Sequence, residues 1–456
     1  MMAVMAKAKI EHVCTDCGAA HPKWSGQCST CGQWNTLVEE VGFARDLPQI
    51  GPAATPPQRI GEVDPHSASP RPSGIGELDR VLGGGIVSGS VTLLGGEPGI
   101  GKSTLLLQLL AAWNGPTLYV TAEESAQQVR LRAERLDAVR PNLWLYADTS
   151  LPAVLAAIGQ QRPELVAIDS IQTMHDPALG SPPGSVVQVR GCAHQLVTAA
   201  KRYDIAIVLV GHVTKEGTLA GPRVLEHVVD TVLAFEGERH HALRLLRASK
   251  HRFGPTNELG LFEMVGEGLI GVPDPSQLFL GDRRTGVPGS AVAPTIEGQR
   301  PLVIEVQALT SPAPPNVPAR RTTQGIDSSR LAMLLAVLHQ RAGVGVHQHD
   351  VYASTVGGVR LTEPGLDVAL CLAIASAVGN RPLPADLVAF GEVGLGGEVR
   401  QVAHSQRRLS EAARLGFKRV ILPRHAPDLP QSGLQLLRVA TLPEALAAAG
   451  LGRTNP

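Results

Sequence analysis

The chain has 456 residues, of which 43% are hydrophobic and 18% are charged. This composition is typical of compact globular domains and excludes an intrinsically disordered protein, and the length predicts about two to four domains. The formal net charge is zero. Binding to nucleic acid would therefore require local basic patches or a ring of subunits, because the chain has no global positive field.

We expect a cytoplasmic protein with no membrane contact. The N-terminal stretch MMAVMAKAKIEHVC lacks the apolar core and the small-residue cleavage site of a signal peptide. The longest apolar run, VALCLAIASAVG (368–379), is shorter than the roughly 20 residues that a helix needs to cross a bilayer.

Two CxxC pairs stand near the N-terminus in CTDCGAAHPKWSGQCSTCGQW, separated by ten residues. This doubled spacing predicts a structural zinc ion held by four thiolates. A redox pair or disulfides are the alternatives, but a cytosolic chain disfavours disulfides and a redox motif would not be doubled in so short a span. His12 and His21 lie nearby, although four cysteines already complete the shell. The predicted zinc ligands are Cys14, Cys17, Cys28 and Cys31.

Composition divides the rest of the chain. We predict a C4 zinc finger over 1–40, a proline-rich linker over 41–70, a nucleotide-binding domain over 71–275 and a further domain over 281–450. A second proline-rich stretch, TSPAPPNVPARRTTQG (310–325), is either a linker or a long loop inside the last domain.

The segment SVTLLGGEPGIGKSTLLLQLLAAW (90–113) predicts a strand, a glycine-rich loop and a helix, which is the context that GxxxxGK[ST] requires. Loop amides and the helix dipole would cradle phosphates, Lys102 would reach the β- and γ-phosphates, and the Ser103 hydroxyl would bind Mg²⁺. The predicted nucleotide-binding residues are Gly96, Glu97, Pro98, Gly99, Ile100, Gly101, Lys102, Ser103 and Thr104.

The predicted strands that follow the glycine-rich loop end in carboxylates that could take part in ATP hydrolysis. The buried run LVAIDS (165–170) ends in Asp169, which we assign to the magnesium shell. The run LYVTAEES (118–125) ends in Glu123 and Glu124, and one of them would orient and deprotonate the attacking water. We choose Glu123, with Glu124 as the rival.

Three further strand patterns follow. DIAIVLVGHVTKEG (204–217) predicts a buried strand and a polar turn with Lys215, while 230–238 and 241–250 predict a hairpin-like pair at the edge of the sheet. Alternating strands and helices predict a doubly wound α/β fold.

The last of these strands leads into SKHRFG (249–254), where Lys250 and Arg252 flank a histidine. Only 8 of the 41 basic residues are lysines, which makes a lysine here mildly informative. A solvated basic turn is the ordinary interpretation of such a pattern.

Together these motifs resemble the bacterial RadA (Sms) family of DNA-repair proteins, which are RecA-like ATPases. The shared segments span essentially the whole chain and are PKWSGQC, CGQWNT, GGEPGIGKST, EES, AIDSIQT, GHVTKEG and KHRFG. The resemblance implies a RecA-like core that binds ATP with Mg²⁺, a hexameric ring, single-stranded and branched DNA as substrates, and cooperation with the RecA recombinase.

The resemblance also bears on SKHRFG, because the family signature is Lys-Asn-Arg-Phe-Gly. Lys250, Arg252, Phe253 and Gly254 match it, while His251 replaces the asparagine. RecA-like ATPases complete each nucleotide site with a basic group from the neighbouring subunit. Lys250 and Arg252 are therefore implied to reach either the neighbour's γ-phosphate or DNA, whereas Phe253 is more typical of packing.

Residues 281–450 resemble the α+β proteolytic domain of Lon proteases, in GQRPLVIEVQAL, LDVALCLAIASA and GEVGLGGEVRQV. That domain requires a serine nucleophile and a lysine base, and by this alignment the chain has Asp367 and Gln406 in their places. The chain has serines and a lysine nearby, but they do not align with the Lon catalytic positions: Ser376, Ser410 and Lys418. We therefore expect a non-proteolytic scaffold for the ring that also binds DNA, through basic residues such as Arg407, Arg408 and Arg414.

The leading hypothesis is a DNA-dependent ATPase, a ring-shaped motor that promotes branch migration in homologous recombination and repair. The alternatives are an ATP-dependent protease, which would digest casein, and a RecA-fold clock-type kinase, which would transfer phosphate to protein with little DNA stimulation.

We predict that Cys28→Ser loses stoichiometric zinc while the ATPase domain stays folded, because the proline-rich linker separates the two domains. Metal analysis of the purified variant checks this. One zinc ion per chain in the variant would contradict the assignment.

Overall fold

A computed structural model describes residues 9–14, 20–30, 32–42, 59–62, 69–212, 225–237, 243–314, 318–356, 363–427 and 433–452. The chain divides into two compact units. The first comprises Met1–Thr256 and Phe262–Gly271, and the second comprises Asn257–Leu261 and Val272–Pro456. Within the described ranges, no helix combines the length and the hydropathy needed to span a membrane.

The first unit begins with a small antiparallel sheet. Its strands are β1 (Lys9–Cys14), β2 (Ala20–His21) and β3 (Leu37–Gly42), in the order β2-β1-β3. A short 3₁₀ helix, Ile60–Glu62, falls in the predicted linker. Most of the remaining linker lies outside the described residues.

The rest of the first unit is built on one large mixed sheet. Its strands β4 to β12 are Val91–Gly96, Thr117–Thr121, Leu143–Ala147, Leu165–Asp169, Ala206–His212, Thr231–Glu236, Leu243–His251, Leu259–Val265 and Gly268–Gly271. The helices α1 to α5 are Gly76–Val81, Lys102–Ala112, Ala126–Arg135, Leu151–Gln161 and Val186–Tyr203, with a 3₁₀ helix at Pro177–Leu179. Counted over the described residues, the nine strands have the order β12-β11-β10-β9-β4-β8-β7-β5-β6.

Helices cover both faces of this sheet, because alternate residues along each strand point to opposite sides. Leu94 of β4 belongs to the core shared with α1, α2 and α3, whereas its neighbour Leu93 belongs to the core shared with α4 and α5. The strands from β9 to β6 run parallel to their neighbours. The predicted doubly wound α/β fold is therefore confirmed.

The predicted hairpin-like pair is present, but its placement at the edge of the sheet is wrong. β9 and β10 pair antiparallel, with Leu246 opposite Phe235. Two further strands, β11 and β12, continue the sheet beyond β10. They form their own antiparallel hairpin, in which Phe262 lies opposite Gly271. The segment ELGLFEMVGEGLIGV (258–272) carries the apolar runs and the Gly-Glu-Gly turn of such a hairpin.

The second unit contains both helices and strands. Its strands β13 to β21 are Ser290–Glu297, Arg300–Pro312, Arg321–Gln324, His349–Thr355, Leu387–Ala389, Glu392–Val393, Val399–Arg400, Arg419–Pro423 and Gln435–Val439. Its helices α6 to α10 are Pro275–Leu280, Ser328–Ala342, Asp367–Gly379, Ser405–Arg414 and Leu442–Ala448, with 3₁₀ helices at Val346–Gln348 and Pro364–Leu366.

Separate sheets organise the second unit. They have the orders β13-β14-β16-β15, β17-β20-β21 and β18-β19 among the described strands. The proline-rich stretch 310–325 begins at the end of β14 and includes β15, two strands of the first of these sheets, so it lies inside the unit and is not a linker between domains. Residues 315–317 lie outside the described residues. The likeness of this unit to the Lon proteolytic domain stays a prediction.

Arg408 was expected on a DNA-binding surface, and this expectation is wrong. Its side chain is 1% exposed and forms an ion pair with Glu363. The guanidinium also donates to the carbonyl of Pro294 at 2.8 Å and lies over the Phe390 ring. The reason is helical periodicity, since Arg408 falls on the buried face of α9 with Leu409 and Ala412.

The other two arginines of that expectation lie nearer the surface. Arg414 forms ion pairs with Asp274 and Glu411, each at 2.7 Å. Arg407 is exposed and donates to the backbone carbonyl of Gln299 at 3.2 Å. A DNA-binding role for these two side chains stays a prediction.

We predict that Arg408→Ala destabilises the second unit by about 3 kcal/mol, because Glu363 would keep a largely buried charge without its partner. Hydrogen exchange of the β20 amides reports the opening free energy of this unit and checks the value. Arg407→Ala on the same helix is the matched control and should change that free energy by no more than about 0.5 kcal/mol. Equal protection in the two variants would contradict the prediction.

Candidate nucleotide-binding site

The glycine-rich loop joins β4 to α2 and has the backbone conformation of a phosphate cradle. Gly99 and Gly101 have φ angles of +80° and +114°, a region that side chains other than glycine rarely adopt. Gly101 is also the N-cap of α2. A Cβ on Gly96 would lie 2.5 Å from the carbonyl oxygen of Phe235. The loop therefore depends on glycine for its conformation and for its close approach to β9.

Lys102 begins α2 and folds back over this loop. Its side chain is 5% exposed, and Nζ donates to the carbonyls of Gly96 at 2.8 Å and Glu97 at 2.9 Å. Burial lowers the pKa of Lys102, while the negative charges of Asp169 and Glu123 oppose this shift. The ammonium group is thus held at the loop by weak neutral acceptors that a phosphate oxygen can replace.

Asp169 ends β7 beside the loop and is almost fully buried. The hydroxyl of Tyr119, on the neighbouring strand β5, donates to Asp169 Oδ2 at 2.7 Å. Burial and the charge of Asp169 raise the pKa of Tyr119 well above its ordinary range. The hydroxyl therefore stays protonated and fixes the direction of the carboxylate.

The turn after β5 presents the two adjacent glutamates. The Thr121 hydroxyl bonds both the backbone N–H and the carbonyl of Glu124, and Ser125 caps α3 in a capping box with Gln128. Ser170, next to Asp169, donates to Glu123 Oε1. Glu124 instead accepts from Arg132 Nη2 at 2.6 Å. The two carboxylates therefore have different neighbours.

The remaining predicted nucleotide-binding residues lie in the loop and in the first turn of α2. Ile100 is buried, whereas Pro98 and Gly99 are exposed. Ser103 and Thr104 are half-buried at the start of the helix. Ser103 and Asp169 offer a hydroxyl and a carboxylate, which are oxygen donors of the kind that Mg²⁺ prefers.

Sequence reasoning missed residues that support this site: Tyr119, Arg132, Ser170 and Arg244. Arg244 is the least expected, since it lies on β10 and is buried. Its Nε donates to the carbonyl of Ile100 in the loop at 3.1 Å, and burial lowers its pKa. The sequence could have indicated that Arg244 is buried, because side chains alternate between the two faces along β10 and Arg244 shares a face with the buried Leu246 and Ala248.

SKHRFG lies at the opposite end of the strands from the glycine-rich loop. Lys250 pairs with Val232 and His251 with Thr231 at the start of β9, and Thr231 is level with Thr92 at the start of β4. Gly96, where the loop begins, is four residues further along. At about 3.3 Å per residue, this separates the two features by roughly 13 Å along the strands.

Both cations of SKHRFG have partners within the chain. Lys250 Nζ donates to the carbonyls of Glu226 at 2.6 Å and Val229 at 2.8 Å. Arg252 forms an ion pair with the buried Asp230 at 3.0 Å, and about half of the Arg252 side chain is exposed. Burial lowers the pKa of Lys250, and the charge of Arg252 adds to this shift.

His251 links β9 to the segment after α1. Its Nε2 lies 3.2 Å from the carbonyl of Leu82, and its Nδ1 lies 3.0 Å from the Thr231 hydroxyl. A carbonyl only accepts, so Nε2 carries the proton and Nδ1 accepts from Thr231. An asparagine amide also offers one donor and one acceptor. The exposed ring of Phe253 makes an edge contact with the imidazole, with ring centroids 6.0 Å apart.

The described part of the zinc finger is compatible with a metal site. Cys14 and Cys28 are both buried in one small core with Leu37, and His21 Nε2 lies 3.4 Å from Cys28 Sγ. The other two predicted ligands, Cys17 and Cys31, lie outside the described residues, as does Lys215.

In the second unit, Asp367 at the Lon-like serine position and the nearby Ser376 have structural partners. Asp367 is buried, accepts from Arg330 Nε at 3.0 Å and also accepts from the Val393 amide. Ser376 is buried, accepts from the Gly289 amide at 2.9 Å and donates to the carbonyl of Arg381. The other three residues compared with the Lon catalytic pair are exposed to solvent: Gln406, Ser410 and Lys418.

Comparisons with known proteins find two family profiles and one solved structure that resemble parts of this chain. A family profile described as "AAA domain" matches residues 63–218, and one described as "Rubredoxin metal binding domain" matches residues 12–39. Among solved structures, a KaiC-like protein from Pyrococcus horikoshii is 20% identical, with a TM-score of 0.38, over 45% of this chain and 100% of that chain.

Curated relatives match along nearly their whole length. The DNA repair protein RadA of Pseudomonas aeruginosa is 52% identical over 97% of this chain and 99% of that protein. The protein of the same name from Bacillus subtilis is 46% identical with the same coverage, and that of Brucella abortus is 46% identical over 98% of this chain and 100% of its own. The predicted ATPase core and N-terminal zinc ribbon are thereby confirmed.

Proposed function

The chain belongs to the family of bacterial DNA repair proteins named RadA, and we propose that it is a DNA-dependent ATPase acting as a ring-shaped motor for branch migration of recombination intermediates. One observation carries the proposal. Lys102, Asp169 and Glu123 come from three separate segments: Lys102 folds over the glycine-rich loop, and Asp169 and Glu123 lie at the ends of two paired parallel strands, where the charges of both carboxylates act on Lys102. This is the set of groups that phosphoryl transfer to water requires.

In the proposed reaction, the loop amides and Lys102 hold the phosphates of ATP. Lys102 exchanges its bonds to the Gly96 and Glu97 carbonyls for bonds to phosphate oxygens, which are stronger because both partners are charged. Ser103 and Asp169 would hold Mg²⁺, which neutralises phosphate charge when bound. Glu123 would orient the attacking water and accept its proton.

We propose single-stranded and branched DNA and the RecA recombinase as partners, a hexameric ring as the assembly and the cytoplasm as the location. The zinc ion would be structural. The second unit would be a scaffold without peptidase activity. The buried, backbone-bonded Ser376 and the ion-paired Asp367 support this view, since neither is free to act as a nucleophile.

We predict that Glu123→Gln binds ATP but slows hydrolysis by about 10²–10⁴-fold, the usual contribution of a general base. Lys102→Ala should abolish hydrolysis by removing the charge at the phosphates. The measurement is the ATPase rate with and without single-stranded DNA, which should stimulate the unaltered chain. Glu124→Gln is the matched control and should lose far less. The opposite order of the two glutamate variants would overturn the assignment, and an unstimulated wild-type rate would contradict the DNA dependence.

We predict that Lys250 acts on the neighbouring subunit's nucleotide, because the register of β9 and β10 puts it at the far end of the strands from its own loop. Lys250→Ala should bind nucleotide almost normally and hydrolyse it up to about 10³-fold more slowly, as for a lost arginine finger. The test mixes Lys250→Ala with Lys102→Ala protein. Some mixed interfaces would pair an intact loop with an intact Lys250, so part of the ATPase rate should return.

Lys201→Ala serves as the control in this mixing experiment, because Lys201 is an exposed lysine at the end of α5. Absence of recovery in rings shown to be mixed would exclude action on the neighbour. Normal hydrolysis with weaker DNA binding and a shallower salt dependence would instead assign Lys250 and Arg252 to DNA phosphates.

A further inference from the structure

Two opposite charges in the nucleotide site do not pair with each other. Lys102 and Asp169 are both buried, and the negative charge of Asp169 opposes the downward shift that burial gives the pKa of Lys102. The ammonium group nevertheless donates to the carbonyls of Gly96 and Glu97, and among the residues that the structure describes no ion pair joins it to Asp169. The carboxylate accepts instead from the Tyr119 hydroxyl at 2.7 Å. Each charge therefore has a neutral partner.

The fold puts Tyr119 on the same face of the sheet as both charges. On the adjacent parallel strands β5 and β7, Thr121 pairs with Asp169 and Tyr119 pairs with Ala167. Alternate residues of a strand share a face, and Tyr119 and Ala167 belong to the core that α2 helps to form. Lys102 begins α2. The phenol, the carboxylate and the lysine are therefore brought to one side of the sheet by register and by helix packing.

An ion pair between Lys102 and Asp169 would withdraw both groups from the nucleotide. A bond between an ammonium group and a carboxylate is stronger than a bond between an ammonium group and a neutral carbonyl. Separating two buried charges of opposite sign is also costly, because each is left without its partner. The nucleotide would have to break this pair before the lysine could reach its phosphates. A different donor to Asp169 removes that competition.

Tyr119 suits this task because its hydroxyl donates a hydrogen bond and carries no charge. The side chain is 1% exposed, so the surrounding core holds the ring in place. Burial and the charge of Asp169 raise the pKa of Tyr119 well above its ordinary range, and the hydroxyl keeps its proton. The bond uses one of the two carboxylate oxygens, which leaves the other as an acceptor for a hydrated magnesium ion.

We propose that Tyr119 is a positioning residue whose hydroxyl keeps Asp169 from pairing with Lys102, so that the lysine stays available to the nucleotide phosphates and the aspartate to magnesium. The inference rests on the proposed ATPase mechanism, in which Lys102 binds phosphate and Asp169 belongs to the magnesium shell. It gives a buried tyrosine on β5 a specific role in nucleotide binding. No covalent step involves Tyr119.

The test is a double-mutant cycle on the full-length chain, with the affinity for ATP in the presence of EDTA as the readout. Without a metal ion, this affinity depends on the loop and on Lys102, and turnover does not interfere. Tyr119→Phe frees Asp169 to take Lys102 and should weaken the affinity by about tenfold, the lower end of the effect of one hydrogen bond to a charged group. Asp169→Asn removes the charge that attracts Lys102. Tyr119→Phe should therefore have no further effect in the Asp169→Asn background.

Tyr146→Phe is the matched control, because Tyr146 lies on the next strand, β6, and its hydroxyl is 3.2 Å from Asp148 Oδ2. It should leave the affinity for ATP unchanged. Thermal unfolding shows whether each variant is folded. If Tyr119→Phe does not fold, the same cycle is made with Tyr119→Met, since methionine fills irregular core space and has no hydroxyl to donate.

Two outcomes would overturn the proposal. An unchanged metal-free affinity of Tyr119→Phe would mean that the hydroxyl does not protect Lys102. A double variant that binds ATP as weakly as Tyr119→Phe is the result of a purely structural role. Failure of the proposed ATPase is seen separately, as an unaltered chain that binds ATP but does not hydrolyse it with Mg²⁺, and the binding cycle would still be read. An unaltered chain that does not bind ATP would overturn both proposals.

Discussion

Parallel pairing of the strands from β4 to β5 is the constraint on which the nucleotide site depends. These strands run in one direction, so their carboxyl ends share one edge of the sheet. Thr121, which holds the Glu123–Glu124 turn, pairs directly with Asp169, and Gly96 ends β4 on the same edge. A slip of one residue in β7 would turn Asp169 to the other face of the sheet. Register therefore aligns groups that are distant in sequence, and the apolar cores on both faces fix that register.

The same edge concentrates charge, and Lys102, Asp169 and Glu124 each have a partner close by. Lys102 uses two loop carbonyls, Asp169 uses the Tyr119 hydroxyl and Glu124 uses Arg132. These partners differ in strength. A neutral carbonyl holds an ammonium ion less firmly than a phosphate does, so the nucleotide can displace it. An ion pair resists displacement, so Glu124 stays where it is. The partners in this site therefore range from neutral carbonyls, which a phosphate can displace, to an ion pair, which it displaces less easily.

Sequence patterns predicted the loop and the alternation of strands and helices, which depend on local spacing and on the periodicity of apolar residues, and shared motifs predicted the family. They could not foresee that Glu123 and Glu124 have different neighbours, since tertiary packing brings Ser170 to Glu123 and Arg132 to Glu124. They also misassigned Arg408 to the surface, because an arginine is rarely buried without an acid, and its acid, Glu363, lies 45 residues earlier. The helical period of α9 places Arg408 on the same buried face as Leu409 and Ala412, which is a signal of burial that the sequence carries.

The same strand register places the basic turn SKHRFG at the opposite edge of the sheet from the glycine-rich loop. β10 is antiparallel to β9, so its end lies at the amino ends of the parallel strands, far from its own glycine-rich loop. Asp230, buried beside it, accepts both from Arg252 and from the Val91 amide at 3.0 Å, which ties the turn to the start of β4. His251 supplies one donor, to the carbonyl of Leu82, and one acceptor, for the Thr231 hydroxyl, the two kinds of group that an asparagine amide also carries. The sheet therefore holds Lys250 and Arg252 at the edge opposite the glycine-rich loop of their own chain, and their action on a neighbouring nucleotide or on DNA stays a prediction.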